Sequence, residues 1–153
     1  MVQKVNKKQI KILLVEDNPG DIRLTQEVFK DSAFDVSIEV CYDGEEALLY
    51  LKDKSTADKE AYLPDIIILD LNLPKKNGLE LLKDIKNNSD MVHLPVIMLT
   101  SSEAQNDILS VYRERANCYL TKPVDYDEFC RAINMIENFW FDIASLPKSK
   151  NLG

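Results

Sequence analysis

The chain is poor in the residues that bind zinc, form disulfide bonds or cradle nucleotides. Its 153 residues include three cysteines, one histidine and four glycines. Cys41, Cys118 and Cys130 form no CxxC pair and lie in apolar patterns, where thiols usually act as small buried hydrophobes. Without paired cysteines or clustered histidines, a zinc site has no ligand set. None of the glycines forms a phosphate-cradling loop, so a nucleotide or flavin binder ranks last among our hypotheses.

Long apolar runs and a surplus of positive charge are also missing. No segment approaches the length of a membrane span, and the start MVQKVNKKQ lacks the apolar stretch of a secretory signal. We therefore predict a cytoplasmic protein with no membrane association. The formal net charge of −7 argues against direct nucleic-acid binding, because phosphate backbones are bound chiefly by surplus lysine and arginine.

The length and composition predict one soluble globular domain. Hydrophobic residues make up 45% of the chain and charged residues 29%, which is ordinary for such a fold. We predict a flexible amino-terminal tail over 1–9, the domain over 10–143, and a polar carboxy-terminal tail over 144–153. We expect no output domain.

Strand-like and helix-like stretches alternate along the chain. The predicted strands lie at 10–15, 36–41, 65–70, 96–100 and 118–121. The third is continuously apolar, as a strand covered on both faces should be, while the second alternates in polarity and suits an edge. This alternation predicts an α/β fold, a doubly wound five-stranded parallel sheet flanked by five helices.

Helix starts are marked by a capping side chain followed three residues later by Glu or Gln. The predicted pairs are Asp43 with Glu46, Asn77 with Glu80, Ser102 with Gln105, and Asp125 with Glu128. The first helix instead opens at Asn18-Pro19, since proline is tolerated in a first turn. The charged stretch 52–64 is predicted to extend a helix and then form a surface loop.

Polar side chains end four of the five predicted strands. They are Glu16 with Asp17, then Asp70, Thr100 and Lys122. Because parallel strands meet at one carboxyl edge, where open α/β sheets bind ligands, we expect these groups to share one site. Two carboxylates about 4 Å apart repel by roughly 4 kcal/mol at an effective dielectric of 20, so a cation is needed. Oxygen ligands favour Mg²⁺.

Asp70 is the natural nucleophile of this site, because aspartyl carboxylates carry phosphoryl groups and this one ends the most buried strand. Lys122 and the metal would neutralise charge on the transferred group, and Thr100 would donate a hydrogen bond to it. Considered one at a time, these residues could also have purely structural roles. Asp17 could be a helix cap, and Lys122 could be a solvated lysine on an edge strand.

Four segments together resemble the receiver domains of two-component response regulators. They are VED at 15–17, LDLNLPKKNG at 69–78, LTSS at 99–102 and YLTKP at 119–123. The resemblance covers roughly 10–141, and the ordered set is more specific than any single motif. The stretches ANCYLTKPVDYDEF and ENFWF are similar to the single-domain response regulators that partner cyanobacterial phytochromes.

The resemblance implies a flavodoxin-like receiver fold with strand order 2-1-3-4-5, and a phosphorelay role. Asp70 would accept phosphate from a phosphohistidine of a sensor histidine kinase, here a cyanobacterial phytochrome. Asp17 would bind Mg²⁺ directly, Glu16 mainly through water, and Asn72 through its backbone carbonyl. Asn72 and Ser102 occupy two variable positions that tune dephosphorylation in relatives.

The resemblance also implies a conformational switch. Lys122 and Thr100 would contact the phosphoryl group, and the bond between Lys122 and Pro123 would be a cis peptide. Tyr119 would turn inward as Thr100 moves, although a simple packing role for Tyr119 stays open from the residues alone.

The output of such a switch would be a binding surface. Phe139, Trp140 and Phe141 cover more than one side of the last helix, which indicates a partner surface unless they pack against the sheet and the 52–64 stretch. We also expect homodimerisation through the fourth helix, fifth strand and fifth helix.

A second hypothesis is a small phosphohydrolase with an aspartyl nucleophile. Such enzymes commonly carry a second acid two residues after the nucleophile, where this chain has Asn72. We therefore predict a phosphoacceptor signalling protein, not an enzyme acting on other molecules.

Overall fold

The computed structural model describes residues 9–56 and 62–147, which form one α/β unit. The strands are β1 (Gln9–Val15), β2 (Asp35–Cys41), β3 (Ile66–Leu69), β4 (Val96–Thr100) and β5 (Cys118–Thr121). The helices are α1 (Pro19–Lys30), α2 (Gly44–Lys54), α3 (Gly78–Lys86), α4 (Gln105–Arg113) and α5 (Tyr126–Ile136). A π-helix, Glu137–Ile143, continues directly from α5. The predicted alternation of five strands and five helices is confirmed.

All strand pairings are parallel, and the strand order is β2-β1-β3-β4-β5, as predicted. Every residue of β3 is buried, as its continuous apolar sequence requires. β2 lies at an edge and alternates between exposed and half-buried residues as far as its last residue, Cys41, which is buried. In the registers, Val15 of β1 pairs with Leu69 of β3, which places Glu16 and Asp70 side by side beyond the strand ends.

The apolar residues form two clusters, one on each face of the sheet. One face is covered by α2, α3 and α4, and its cluster includes Ala47, Leu51, Leu81, Ile85 and Val111. The other face is covered by α1, α5 and the π-helix, and its cluster includes Ile22, Phe29, Phe129, Ile133 and Phe141. Burial of both faces fixes the register of the strands and so the position of everything at their carboxyl edge.

Four of the five predicted helix starts are confirmed. The capping residues are Asn18 for α1, Asp43 for α2, Asn77 for α3 and Asp125 for α5. The prediction for Ser102 is wrong, because α4 begins after Ala104 with no side-chain cap. The Ser102 hydroxyl instead donates to the Asp107 carboxylate at 2.5 Å. The backbone stays extended as far as Ala104, so the helix starts two residues later than the capping pattern predicts.

The predicted partner surface is wrong for Phe141, which is 1% exposed. Its ring packs against Phe29 and Phe34, with centroid distances of 5.8 and 5.7 Å. The π-helix explains the difference, because its i to i+5 spacing places Phe141 on the same face as buried Ile136. Phe139 stays about half exposed.

The ends of the domain differ slightly from the predicted boundaries. Gln9, predicted in the amino-terminal tail, is the first residue of β1. Leu146, predicted in the carboxy-terminal tail, packs partly against the cluster around α5. The rest of the amino-terminal tail, part of the 52–64 stretch and residues 148–153 lie outside the described residues. No helix in the described part is both long and apolar enough to cross a membrane.

The loop between β3 and α3 passes close to Gly78, the first residue of α3. A Cβ atom at Gly78 would clash with the backbone oxygen of Asp70 and lie 2.7 Å from the Cα of Leu71. The Gly78 amide also donates to the Leu71 carbonyl at 2.9 Å. The absent side chain therefore lets α3 start directly against the backbone of Asp70.

We predict that Gly78→Ala destabilises the protein by about 1 to 3 kcal/mol, since the backbone itself must shift to admit the methyl group. Urea unfolding measures this change. Gly20→Ala is the matched control, because a Cβ there would meet only the Asn18 side chain, at 3.2 Å, within the first turn of α1. Equal stability of the two variants would contradict the close approach at Gly78.

Candidate functional site

Three carboxylates meet at the carboxyl edge of the sheet. Glu16 and Asp17 follow β1, and Asp70 follows β3. One oxygen from each lies within 4.8 Å of the others. Glu16 and Asp70 are buried, whereas Asp17 is exposed and opens the cluster to solvent. Carboxylates this close repel one another, and a hard divalent cation, which prefers oxygen ligands, would neutralise their charge. The three residues fit a metal site.

Burial sets the protonation of Glu16. It raises the pKa of Glu16 to about 7, although the hydrogen bond from Lys122 opposes the shift and the charge of Asp70 adds to it. The Glu16 carboxylate also accepts a hydrogen bond from the Asn18 amide at 3.2 Å. Glu16 therefore binds a proton more readily than an ordinary glutamate does, unless a cation compensates its charge.

Lys122 brings one ammonium group into the acidic cluster. Its Nζ donates to Glu16 at 2.5 Å, to Asp21 at 2.8 Å and to Asp70 at 3.1 Å. The Lys122 side chain is 7% exposed. Burial alone would lower the pKa of Lys122, but the hydrogen bonds to Asp21 and Glu16 and the charge of Asp70 outweigh it and raise the pKa. Lys122 is therefore a permanent cation here.

Asp21 is the site residue that the sequence reasoning missed. It lies in the first turn of α1, where its amide donates to the Asn18 side chain at 3.0 Å. An acidic residue in the first turn of a helix is usually explained by its favourable interaction with the helix dipole, so no second role was sought for Asp21. Its position could have indicated one, because α1 starts at the same sheet edge as the other carboxylates.

Thr100 ends β4 next to the acidic cluster. It is fully buried, and its hydroxyl oxygen has no hydrogen-bond partner among the described residues. Its carbonyl accepts the Lys122 amide at 2.7 Å, which ties the two strand ends together. An unpaired buried hydroxyl is costly, so this group is free to bond a ligand oxygen that enters the site.

Tyr119 on β5 is tied to the loop that precedes α4. Its hydroxyl donates to the carbonyl of Ser102 at 2.7 Å. In return, the hydroxyl of Tyr112 on α4 accepts the backbone amide of Tyr119 at 3.1 Å. Two tyrosines therefore couple β5, the loop after β4 and α4. The packing role of Tyr119 is real as well, because the ring contacts the cluster under α4.

Asn72 lies beside the carboxylates, in the loop after β3. Its amide donates to Asp70 at 3.3 Å. Asn72 and Asp17 both line a cavity of about 520 Å³ that extends toward Asp107 and Val111 of α4. The loop backbone is therefore close enough to the cluster to take part in binding a group there.

The predicted cis peptide between Lys122 and Pro123 is wrong, since the described residues contain no cis peptide bonds. A bond before proline prefers the trans form by only about 0.5 to 1 kcal/mol. The isomer is therefore decided by tertiary contacts, which the Lys-Pro dipeptide in the sequence does not reveal.

The site combines a buried carboxylate, two further acids, an ammonium and an unpaired hydroxyl. Such a set positions and neutralises a phosphoryl group and supplies an oxygen nucleophile. This site, at the carboxyl edge of a sheet ordered 2-1-3-4-5, is what a phosphoacceptor domain requires. The response regulator receiver domain family matches residues 12–134, and the chain belongs to that family.

The chain is similar to response regulators of cyanobacterial phytochromes, as its sequence predicted. It is 40% identical over 136 residues to the response regulator Rcp1 of Synechocystis sp., covering 89% of this chain and 92% of that protein. The phosphorylated cyanobacterial phytochrome response regulator RcpA shares its fold with a TM-score of 0.85 at 40% identity, over 91% of this chain and 99% of that one.

A second solved relative is the Mn²⁺-bound form of Rcp1. It matches with a TM-score of 0.83 at 40% identity, over 90% of this chain and 99% of that one. A likeness of this extent also confirms the receiver fold.

We predict that Glu16 makes the metal-free protein less stable as the pH rises. The folded-state pKa of about 7 lies above the ordinary value of 4.5. The folded protein therefore holds the proton more tightly, and this contribution to stability is complete below pH 4.5 and lost as the pH rises through about 7. From acid to neutral pH the loss is on the order of 1 to 3 kcal/mol.

Urea unfolding in EDTA at several pH values, compared between wild type and Glu16→Gln, isolates this contribution. The wild type should lose stability relative to Glu16→Gln as the pH rises. Glu103→Gln, at an exposed position, is the control and should leave the pH profile unchanged. Parallel profiles for wild type and Glu16→Gln would contradict the raised pKa.

Proposed function

We propose that this chain is a response regulator that accepts a phosphoryl group on Asp70 from a phosphohistidine of a sensor histidine kinase. The observation that carries the proposal is the position of Asp70. Its carboxylate lies within 4.8 Å of oxygens of the other two acids and accepts a hydrogen bond from the Lys122 ammonium at 3.1 Å. A nucleophile next to both a cation site and a fixed ammonium is suited to attack phosphorus.

The proposed transfer is a simple displacement. An Asp70 oxygen forms a bond to phosphorus while the bond from phosphorus to the kinase imidazole nitrogen breaks, and that nitrogen keeps the electron pair. Glu16, Asp17, Asp70 and the Asn72 carbonyl would hold Mg²⁺, with Glu16 acting mainly through water. When bound, Mg²⁺ supplies positive charge that neutralises the oxygens of the transferred group.

In the proposal, Thr100 and Lys122 hold the transferred group. The buried Thr100 hydroxyl has no partner in the part of the chain that the structure describes, and it would donate to one phosphoryl oxygen. A movement of Thr100 would also displace Tyr119, because the Tyr119 hydroxyl donates to the carbonyl of Ser102, two residues after Thr100. Phosphorylation adds roughly −2 charges, and a charge change of that size can shift a two-state element.

Similarity to Rcp1 and RcpA supports a narrower proposal about the partner. The kinase that phosphorylates Asp70 is proposed to be a phytochrome, and the transfer is proposed to occur in the cytoplasm. The chain would promote only its own phosphorylation and dephosphorylation. A phosphohydrolase is not favoured, because the position two residues after Asp70 is Asn72 and the family is that of receiver domains.

Replacing Asp70 with Asn should abolish phosphoryl transfer, because an amide oxygen is a poor nucleophile. Intact-protein mass spectrometry after incubation with acetyl phosphate and Mg²⁺ measures the phosphoryl adduct. Wild type should gain one adduct, and EDTA should prevent it. Asp65→Asn is the matched control, because Asp65 immediately precedes the same strand, β3, at the opposite edge of the sheet. An adduct on Asp70→Asn equal to that on wild type would refute the assignment.

We propose that the signal leaves through the face formed by α4, β5 and α5, as a homodimer. The two helices of this face carry large exposed apolar side chains, namely Leu109 and Tyr112 on α4 and Tyr126 and Met135 on α5. Phe139 of the π-helix is exposed as well. Exposed apolar side chains suit an interface, and the hydroxyl of Tyr112 on α4 accepts a hydrogen bond from the amide of Tyr119 on β5.

Light scattering should detect a higher mass when beryllium fluoride and Mg²⁺ occupy the phosphoryl site. Leu109→Ser should remain monomeric under these conditions, because it replaces an exposed apolar side chain of α4 with a hydroxyl. Leu49→Ser is the control, since Leu49 is exposed on α2, away from this face. An unchanged wild-type mass, or equal dimerisation of both variants, would exclude this face as a regulated interface.

A further inference from the structure

Lys122 has three carboxylate acceptors, and they differ in role. Glu16 and Asp70 belong to the cluster proposed to bind metal, and Asp70 also receives the phosphoryl group. Asp21 stands outside that cluster, on α1, and bonds the Lys122 ammonium at 2.8 Å. Asp21 has no role in the proposed phosphoryl transfer.

The bonds of Lys122 to Glu16 and Asp70 conflict with metal binding. A divalent cation and an ammonium compete for the same carboxylate oxygens, and like charges a few ångströms apart repel by several kcal/mol in a partly buried site. Lys122 therefore needs another acceptor whenever a metal draws on those two acids. Without one, the buried ammonium would either be left unpaired at high cost or would oppose the metal.

Asp21 is placed to be that acceptor. Its side chain is 27% exposed, whereas those of Glu16 and Asp70 are 5% and 8% exposed, so it lies at the rim of the site. Its backbone is fixed at both ends, because its amide donates to Asn18 and its carbonyl accepts the Thr25 hydroxyl at 2.8 Å. The first turn of α1 and its cap therefore fix the backbone position of Asp21.

We propose that Asp21 is a positioning residue that retains Lys122 while Glu16 and Asp70 bind the divalent cation. This inference rests on the proposed function, because it assumes metal binding at the three-carboxylate cluster. Without Asp21, Lys122 bonds only to Glu16 and Asp70 and competes more strongly with the metal. Asp21 thereby raises metal affinity without touching the metal.

A simpler role for Asp21 is that its negative charge attracts any cation nearby. The two roles differ in their dependence on Lys122. A plain field effect has the same size whether or not Lys122 is present, whereas a positioning effect requires the ammonium. A double-mutant cycle between Asp21 and Lys122 therefore separates them.

The experiment measures Mn²⁺ affinity of the full chain by electron paramagnetic resonance of free Mn²⁺. Asp21→Asn should weaken Mn²⁺ binding about tenfold in the wild-type background, and no more than about threefold in a Lys122→Met background. Asp127→Asn is the control, because Asp127 lies in the first turn of α5 at the same sheet edge and is not among the acceptors of Lys122. It should change the affinity less than Asp21→Asn does.

Equal effects of Asp21→Asn in the two backgrounds would overturn the positioning role and leave a field effect only. A wild-type chain that binds no Mn²⁺ would overturn the proposed function together with this inference. Wild-type binding that Asp21→Asn leaves unchanged would overturn this inference alone.

A second measurement does not depend on whether Lys122→Met folds. A crystal structure of the wild type with Mn²⁺ should show the Lys122 ammonium still bonded to Asp21. In Asp21→Asn with Mn²⁺, the ammonium should move toward Asp70 or Glu16. Loss of the bond to Asp21 in the metal-loaded wild type would overturn the proposal.

Discussion

The ion pairs of Lys122 hold the candidate site together. One buried ammonium at the end of β5 joins carboxylates that follow β1, follow β3 and begin α1. Four acids in so small a space, counting Asp17, are stable only with positive charge among them. The same excess of negative charge makes this edge of the sheet suitable for a divalent cation. Even beside Lys122, burial raises the pKa of Glu16.

The same lysine connects the acids to the elements that can carry a signal. Its amide is bonded to the Thr100 carbonyl, which joins the ends of β4 and β5. The buried Thr100 hydroxyl at this point has no hydrogen-bond partner within the described part of the chain. From there the bonds of Tyr119 to Ser102 and of Tyr112 to Tyr119 lead to α4. A change at the carboxylates is thus connected to α4 through these hydrogen bonds and the backbone from Thr100 to Ser102.

Features that depend on neighbours in the chain were predictable, and the errors share one cause. The four confirmed caps involve side chains and amides within three residues of each other, as at Asn77 and Glu80. Ser102 was misread because the backbone stays extended as far as Ala104 and α4 starts only after it. Phe141 was misread because a π-helix changes which residues share a face. In both cases a contact or backbone geometry outside the local pattern decided the outcome.

The sequence by itself determined the strand order, through its likeness to receiver domains, and the identity of the groups at the carboxyl edge. Strand periodicity and polar residues at strand ends are local properties, and parallel pairing brings such ends together. Only the tertiary structure decided that Lys122 takes Asp21 as a third acceptor, because that bond joins residues 101 positions apart. It also decided the trans bond before Pro123 and the burial of Phe141. Each depends on distances between separate elements, which no pattern along the chain records.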